Sequence, residues 1–150
     1  HPEYRRQRQM CIRDSNHSLQ GRYLNNDLIS FFYRVSNNIN LPFLDWEKVD
    51  DNLKVILDYE GEYSISIWKA FNKDGRDFRL WQEGDLWFKS NLKRNKDNIY
   101  NIKLDNDLIG YQAVMLEFIL DPESEFPLNI TTGPYVIPDS YPYKKYEPSN

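Results

Sequence analysis

The strongest constraint on this chain is a period of two. Beyond Pro42, Leu53, Val55, Leu57 and Tyr59 alternate with Lys54, Ile56 and Asp58, and Tyr63, Ile65 and Ile67 alternate with Ser64, Ser66 and Trp68. Successive side chains of a strand point to opposite faces, so this spacing suits half-buried strands rather than helices. Between the two runs, Glu60-Gly61-Glu62 is a short glycine-centred link that predicts a hairpin. Asn72-Lys73-Asp74-Gly75 is a second turn signal, leading into a predicted strand at Asp77–Gln82. Further strands are predicted at Phe43–Glu47, Asp85–Ser90, Asn98–Leu104, Tyr111–Leu120 and Phe126–Val136. Tyr111–Leu120 is apolar on both faces, with Ala113, Met115 and Ile119 against Val114, Leu116 and Phe118, as a central strand must be.

Seven or eight short strands with turns every eight to twelve residues predict a mainly β fold. The expected architecture is an antiparallel sandwich of immunoglobulin or fibronectin type III style. The Cys–Trp–Cys signature of antibody domains is absent. Before the strands, the segment Ser18 to about Asn38 carries Leu24, Leu28, Phe31, Phe32 and Val35 at helical spacing. Asn25, Asn26 and Ser30 weaken its helix propensity, so packing must hold it, and its single apolar stripe needs a partner surface. Asn37-Asn38 suit its end, and Pro42 follows in the exit loop.

Composition excludes several classes. The chain has 150 residues, 40% apolar and 15% aromatic, with four Trp, eleven Tyr and eight Phe, enough ring surface for a real core. No apolar run approaches the roughly 20 residues of a membrane-spanning helix. One cysteine excludes an internal disulfide and a cysteine zinc cage. A net charge of −4 argues against general affinity for nucleic acid or anionic membranes. His1–Ser15, HPEYRRQRQMCIRDS, is unlike the rest: it holds four arginines, the single Cys11 and almost no apolar periodicity. It resembles translated sequencing-adapter read-through and is expected to be an artefactual leader; the other reading is a disordered basic arm. Setting it aside moves the charge from −4 to −6, because four arginines leave with Glu3 and Asp14.

Among candidate sites, His17 lies in Asn16-His17-Ser18-Leu19, just ahead of the helix. An imidazole titrating near neutrality can be the general base of a Ser-type acyl transfer, given a nucleophile and an orienting carboxylate. The residues alone favour the plainer reading, in which Ser18 caps the helix and leaves His17 exposed. Asp105-Asn106-Asp107 and Asn72-Lys73-Asp74-Gly75-Arg76-Asp77 cluster oxygen ligands, but neither completes a calcium loop, so both are read as turns and no metal or other cofactor is expected. Lys89, Lys93, Arg94 and Lys96 are read as a solvated hairpin tip rather than an RNA site. Trp46, Trp68, Trp81 and Trp87 could stack on sugars, although Trp68 and Trp87 sit in strand patterns where rings are usually core. Asn16-His17-Ser18 and Asn129-Ile130-Thr131 match the glycosylation sequon.

Three stretches together resemble the PhoPQ-activated pathogenicity-related protein family, whose members are α/β-hydrolase-like with a β-sandwich after the hydrolase domain. They are NHSL with its helix and LPFLDWEKVDDNLKV; WKAFNKDGRDFRLW; and GYQAVMLEFILDPESEFPLNITTGPYVIPDSYPY. The resemblance implies that residues 16–40 hold the last helix of a truncated hydrolase-like domain. Residues 41–143 would form the sandwich and residues 144–150 a loose tail. It implies that His17 is the general base in the intact protein, and that the missing domain is the partner in cis. The segments expected to carry the nucleophile and the acidic triad member are absent, so this chain should be inactive alone. Arg76, Asp77 and Arg79 are expected at an inter-strand turn or the domain interface, and the family tendency is toward export. The alternative is a sandwich acting by itself as a binding module for carbohydrate or protein, with Trp46 and Trp81 in a shared groove.

Overall fold

The computed structural model describes residues 24–78 and 86–140. In chain order these form helix α1 (Leu24–Ser36) and strands β1 (Phe43–Val49), β2 (Asn52–Asp58), β3 (Tyr63–Asn72), β4 (Trp87–Leu92), β5 (Ile99–Lys103), β6 (Tyr111–Leu120), β7 (Leu128–Thr131) and β8 (Tyr135–Ile137). The fold is mainly β, as the alternation requires. One sheet has the order β1-β2-β5; the other runs β4-β3-β6-β7, with β8 also on β6, and every pairing is antiparallel.

The two sheets face each other over one core. β2 contributes Leu53, Val55 and Leu57, β3 Tyr63, Ile65 and Ile67, and β6 Val114, Leu116, Phe118 and Leu120, all buried. The residues alternating with them on β2 are half-buried or exposed, so register and hydrophobic pattern agree. β6 is central, flanked by β3 and by β7 and β8, which accounts for its apolar character on both faces. A second, smaller core lies on the outer face of the larger sheet, where Ala70, Phe78, Trp87, Ala113 and Met115 pack together.

Three boundaries differ from the alternation-based expectation. Asp77 and Phe78 are not part of a strand, and Arg79–Gln82 lie outside the described residues. Phe78 instead caps the second core: it is buried, lies 6.1 Å from the Trp87 ring, and its carbonyl accepts the Trp87 indole N–H at 3.3 Å. The strand predicted at Asp85–Ser90 is β4, placed two residues later. The single strand predicted at Phe126–Val136 is two, β7 and β8. Pro134 has no N–H to give a ladder, and Thr132 makes the splice: its N–H donates to the Leu116 carbonyl while its hydroxyl accepts the Leu116 N–H, both at 2.9 Å.

Gly110 opens β6 at φ 121°, and a Cβ there would lie 2.7 Å from Lys73 Cα and 2.9 Å from the Asn72 carbonyl oxygen. Both are backbone atoms that cannot swing away. Gly110→Ala is therefore expected to destabilise the fold by about 1–3 kcal/mol in denaturant titration, whereas Gly75→Ala, with nothing within 4 Å of its Cβ, stays within about 0.5 kcal/mol.

Candidate functional site: a helix clasped by its polar face

α1 is amphipathic as its spacing requires, but it meets the sandwich with its polar side. Ser30 and Arg34 are buried at 2% and 3% exposure, while Leu28, Phe31, Phe32 and Val35 are 42–63% exposed. The reason lies in what it covers. β7 is the outer strand of its sheet on that side, and an outer strand presents unpaired N–H and C=O groups that only polar side chains can satisfy. Asp27 accepts the Asn129 N–H at 3.1 Å, and the Ser30 hydroxyl donates to the Pro127 carbonyl at 2.7 Å. Tyr33 adds ring contact with Phe126 at 4.5 Å.

The strongest contact is ionic. Arg34 Nη2 donates to Asp121 Oδ2 at 2.6 Å, and the Tyr59 hydroxyl donates to the same oxygen at 2.5 Å. Asp121 sits at φ 47°, in the left-handed region that aspartate tolerates, and its N–H donates to the Glu62 carbonyl at 2.7 Å. Burial works against the Arg34 charge, but the hydrogen bonds and charges of Tyr59 and Asp121 outweigh it and raise its pKa. Burial and the hydrogen bond to Asp121 push the Tyr59 phenol up, against the opposing pull of Arg34. Tyr59 is thus the proton donor in the triad and Asp121 the shared acceptor.

The C-terminus of α1 is closed by its own backbone. Asn38 at φ 54° lets its N–H reach the Val35 carbonyl at 3.3 Å and the Ile39 N–H reach the Arg34 carbonyl at 2.9 Å, the paired bonds of a Schellman cap. The two charges of α1, Asp27 and Arg34, both serve the clasp. No charged residue occurs between Val35 and Leu44. The outward face is therefore apolar and amide-bearing.

The other candidate residues are placed as follows. His17, Ser18 and Asn16 lie outside the described residues, as do Arg79 and Trp81. The Asn72 carboxamide oxygen accepts the N–H of Asp74 and Gly75, and Asp105 accepts the Asp107 N–H, so both oxygen clusters serve turns. Among the described residues no group of three or more His, Cys, Asp or Glu could hold a metal ion. Arg76 donates to the Pro138 carbonyl at 2.6 Å and pairs with Asp139 at 3.5 Å, tying its turn to the chain beyond β8. Of the basic residues, Lys89 pairs with Glu117 at 2.5 Å, Arg94 pairs with Glu62 at 3.3 Å and lies over the Tyr63 ring, and Lys93 and Lys96 are exposed.

Trp46 is half-buried against the main core and Trp87 is buried in the second. Trp68 donates its indole N–H to Glu117 at 3.0 Å, with the Lys89 ammonium 5.2 Å from its ring centre. The sequon residue Asn129 is engaged twice, its N–H on Asp27 and its amide on Glu117 at 3.3 Å.

Sequence reasoning missed the clasp altogether. Its signal was a second stripe on the helix, Asp27, Ser30 and Arg34, at spacings of three and four. Nothing in the sequence ties that stripe to Tyr59 and Asp121, because those partners are 25 and 87 residues from Arg34.

Among the described residues no helix is long and apolar enough to cross a membrane. No curated protein and no solved structure matches the chain. A family model does: that of the PhoPQ-activated pathogenicity-related protein, over residues 5–79, half of the chain. The match starts at Arg5, inside the His1–Ser15 stretch, and takes in α1, β1, β2 and β3. The chain belongs to the PhoPQ-activated pathogenicity-related protein family.

Proposed function

We propose that this chain is the C-terminal part of an α/β-hydrolase-like protein. In this reading α1 is the last helix of the hydrolase-like domain and the strands form an accessory sandwich of immunoglobulin or fibronectin type III kind. The observation that carries it is the orientation of α1: its polar face is used up on β7 and Asp121, and its apolar stripe is turned outward. A stripe of Leu28, Phe31, Phe32 and Val35 without charge is the side a helix presents to a core, and a hydrolase-like domain in cis supplies one. The grouping of the first, second and fifth strands against the third, fourth, sixth and seventh supports the sandwich type. Family membership supports the rest.

The chemistry proposed for the intact protein is Ser-type acyl transfer on ester or peptide bonds, with His17 as general base. It would take the nucleophile's proton and return it to the leaving group, while an upstream carboxylate orients the ring. The 150-residue chain supplies the base and the accessory domain, and it has no activity alone.

The test begins with the DNA upstream of the Asn16 codon, read across the junction in long reads. The expected frame encodes a G-x-S-x-G strand–turn–helix and, later, an Asp at a strand end. The protein produced from it should label with a serine-directed phosphonate, the 150-residue chain should not, and His17→Ala should slow hydrolysis by about 10²–10⁴-fold. A frame that encodes HPEYRRQRQMCIRDS behind a start codon, or an intact protein that never labels, ends the hydrolase reading.

A further inference from the structure

The larger sheet has two sides, and the fold treats them differently. On one side β7 is closed by Asp27 and Ser30 of α1. On the other, β4 pairs, among the described residues, with β3 alone. Edge strands are normally guarded by charges, proline, a bulge or a cover. β4, of sequence WFKSNL, has no proline, and its ladder with β3 runs unbroken from Ile65–Leu92 to Ala70–Trp87. Its one charge is withdrawn: Lys89 is turned onto Glu117 at 2.5 Å. On the opposite face Phe88 stands 74% exposed, four residues before half-buried Leu92.

We propose that β4 is a self-association edge, at which two copies of this chain pair their β4 strands antiparallel about a twofold axis through Ser90. Side chains facing each other across a ladder must lie on the same side of the joined sheet, so only registers of one parity are allowed. Among these, the register centred on Ser90 sets Ser90 against Ser90, Lys89 against Asn91 and Phe88 against Leu92 of the other copy. Both exposed phenylalanines gain an apolar neighbour, and no like charges meet. Shifting the centre to Lys89 places two ammonium groups opposite each other. Shifting it to Asn91 leaves Phe88 beyond the paired stretch. The strand is thus its own best complement, and a twofold pairing closes with no free copy of this edge remaining. The inference does not depend on the hydrolase reading.

Sedimentation velocity on the 150-residue chain tests this, run in parallel on Phe32→Glu so that contacts through the α1 stripe are separated from strand pairing. With rising concentration, both proteins are expected to move from 18.1 kDa to twice that mass. Ser90→Lys and Ser90→Glu should each remain at the single-chain mass with an unchanged far-ultraviolet spectrum, and their equimolar mixture should recover the doubled mass. Phe88→Ser should weaken pairing by about tenfold through loss of its apolar cross-strand contact. The proposal is overturned by a chain that stays single throughout the micromolar range, by open-ended association, or by pairing that survives both Ser90 variants and disappears in Phe32→Glu.

Discussion

Arg34→Ala is expected to release α1 from the sandwich while leaving the sheets folded. Removing the guanidinium strands the Asp121 carboxylate beside Tyr59 and deletes the Arg34–Asp121 ion pair, 2.6 Å long. Breaking a buried pair costs about 3–5 kcal/mol, and the lower end applies because the Asp121 side chain is 33% exposed and keeps some water. Among the described residues, the helix keeps the Asp27 and Ser30 hydrogen bonds and the Tyr33–Phe126 contact. These do not offset the loss of roughly 3 kcal/mol, so amide exchange in α1 should accelerate by about 10²-fold. Amides of β3 and β6 should keep their protection, since neither strand draws on Arg34. Arg34→Lys should fall between, because an ammonium keeps the charge but cannot span Asp121 and Tyr59 with a rigid fork. Equal loss of protection in helix and sheets would mean that α1 is integral to the core and not a docked element.

Phe118→Ala is expected to be the most damaging substitution in the sheets. Phe118 is fully buried in the centre of β6, with the Tyr63 and Tyr100 rings edge-on at 5.9 and 5.8 Å. Truncation loses the transfer free energy of the ring, leaves a cavity under both tyrosines and removes two aromatic contacts, for a total of about 3–5 kcal/mol. The Tyr63 and Tyr100 hydroxyls are hydrogen-bonded to each other at 2.7 Å, and Tyr63 also donates to Asn98 at 2.6 Å, so neither ring can collapse freely into the space. A domain of this size has only about 5–15 kcal/mol of stability, so guanidinium unfolding should show the midpoint shifted by a large fraction. Phe88→Ala removes as large a ring from a 74% exposed position and should stay within about 0.5 kcal/mol for the single chain. A loss below about 1 kcal/mol at Phe118 would contradict the core as described.

Much of the sandwich was legible because a strand's periodicity is local. Leu53, Val55 and Leu57, and Tyr63, Ile65 and Ile67, declare their buried face within a few residues, and Tyr111–Leu120 declares burial on both faces. Where prediction and structure part, a single residue's bonding is responsible. Phe78 turns back onto Trp87 instead of extending, and Thr132 and Pro134 split a strand whose composition reads as continuous. The candidate site was far less legible. The helix and its apolar stripe could be read from spacing, but not the direction in which the stripe faces.

The sequence by itself determined that this is a mainly β chain with an amphipathic helix ahead of its strands, without an internal disulfide and with its core in alternating strands. These properties follow from residue type at short separations, where geometry is set by the backbone. Only the tertiary structure decided which face of the helix is spent. The β7 edge offers unpaired N–H and C=O groups and Asp121 offers a charge, so Asp27, Ser30 and Arg34 turn inward. Leaving those polar groups unmet would cost more than leaving Phe31 and Phe32 in water. That balance depends on residues about 90 to 100 positions apart in the chain, and no local pattern records it.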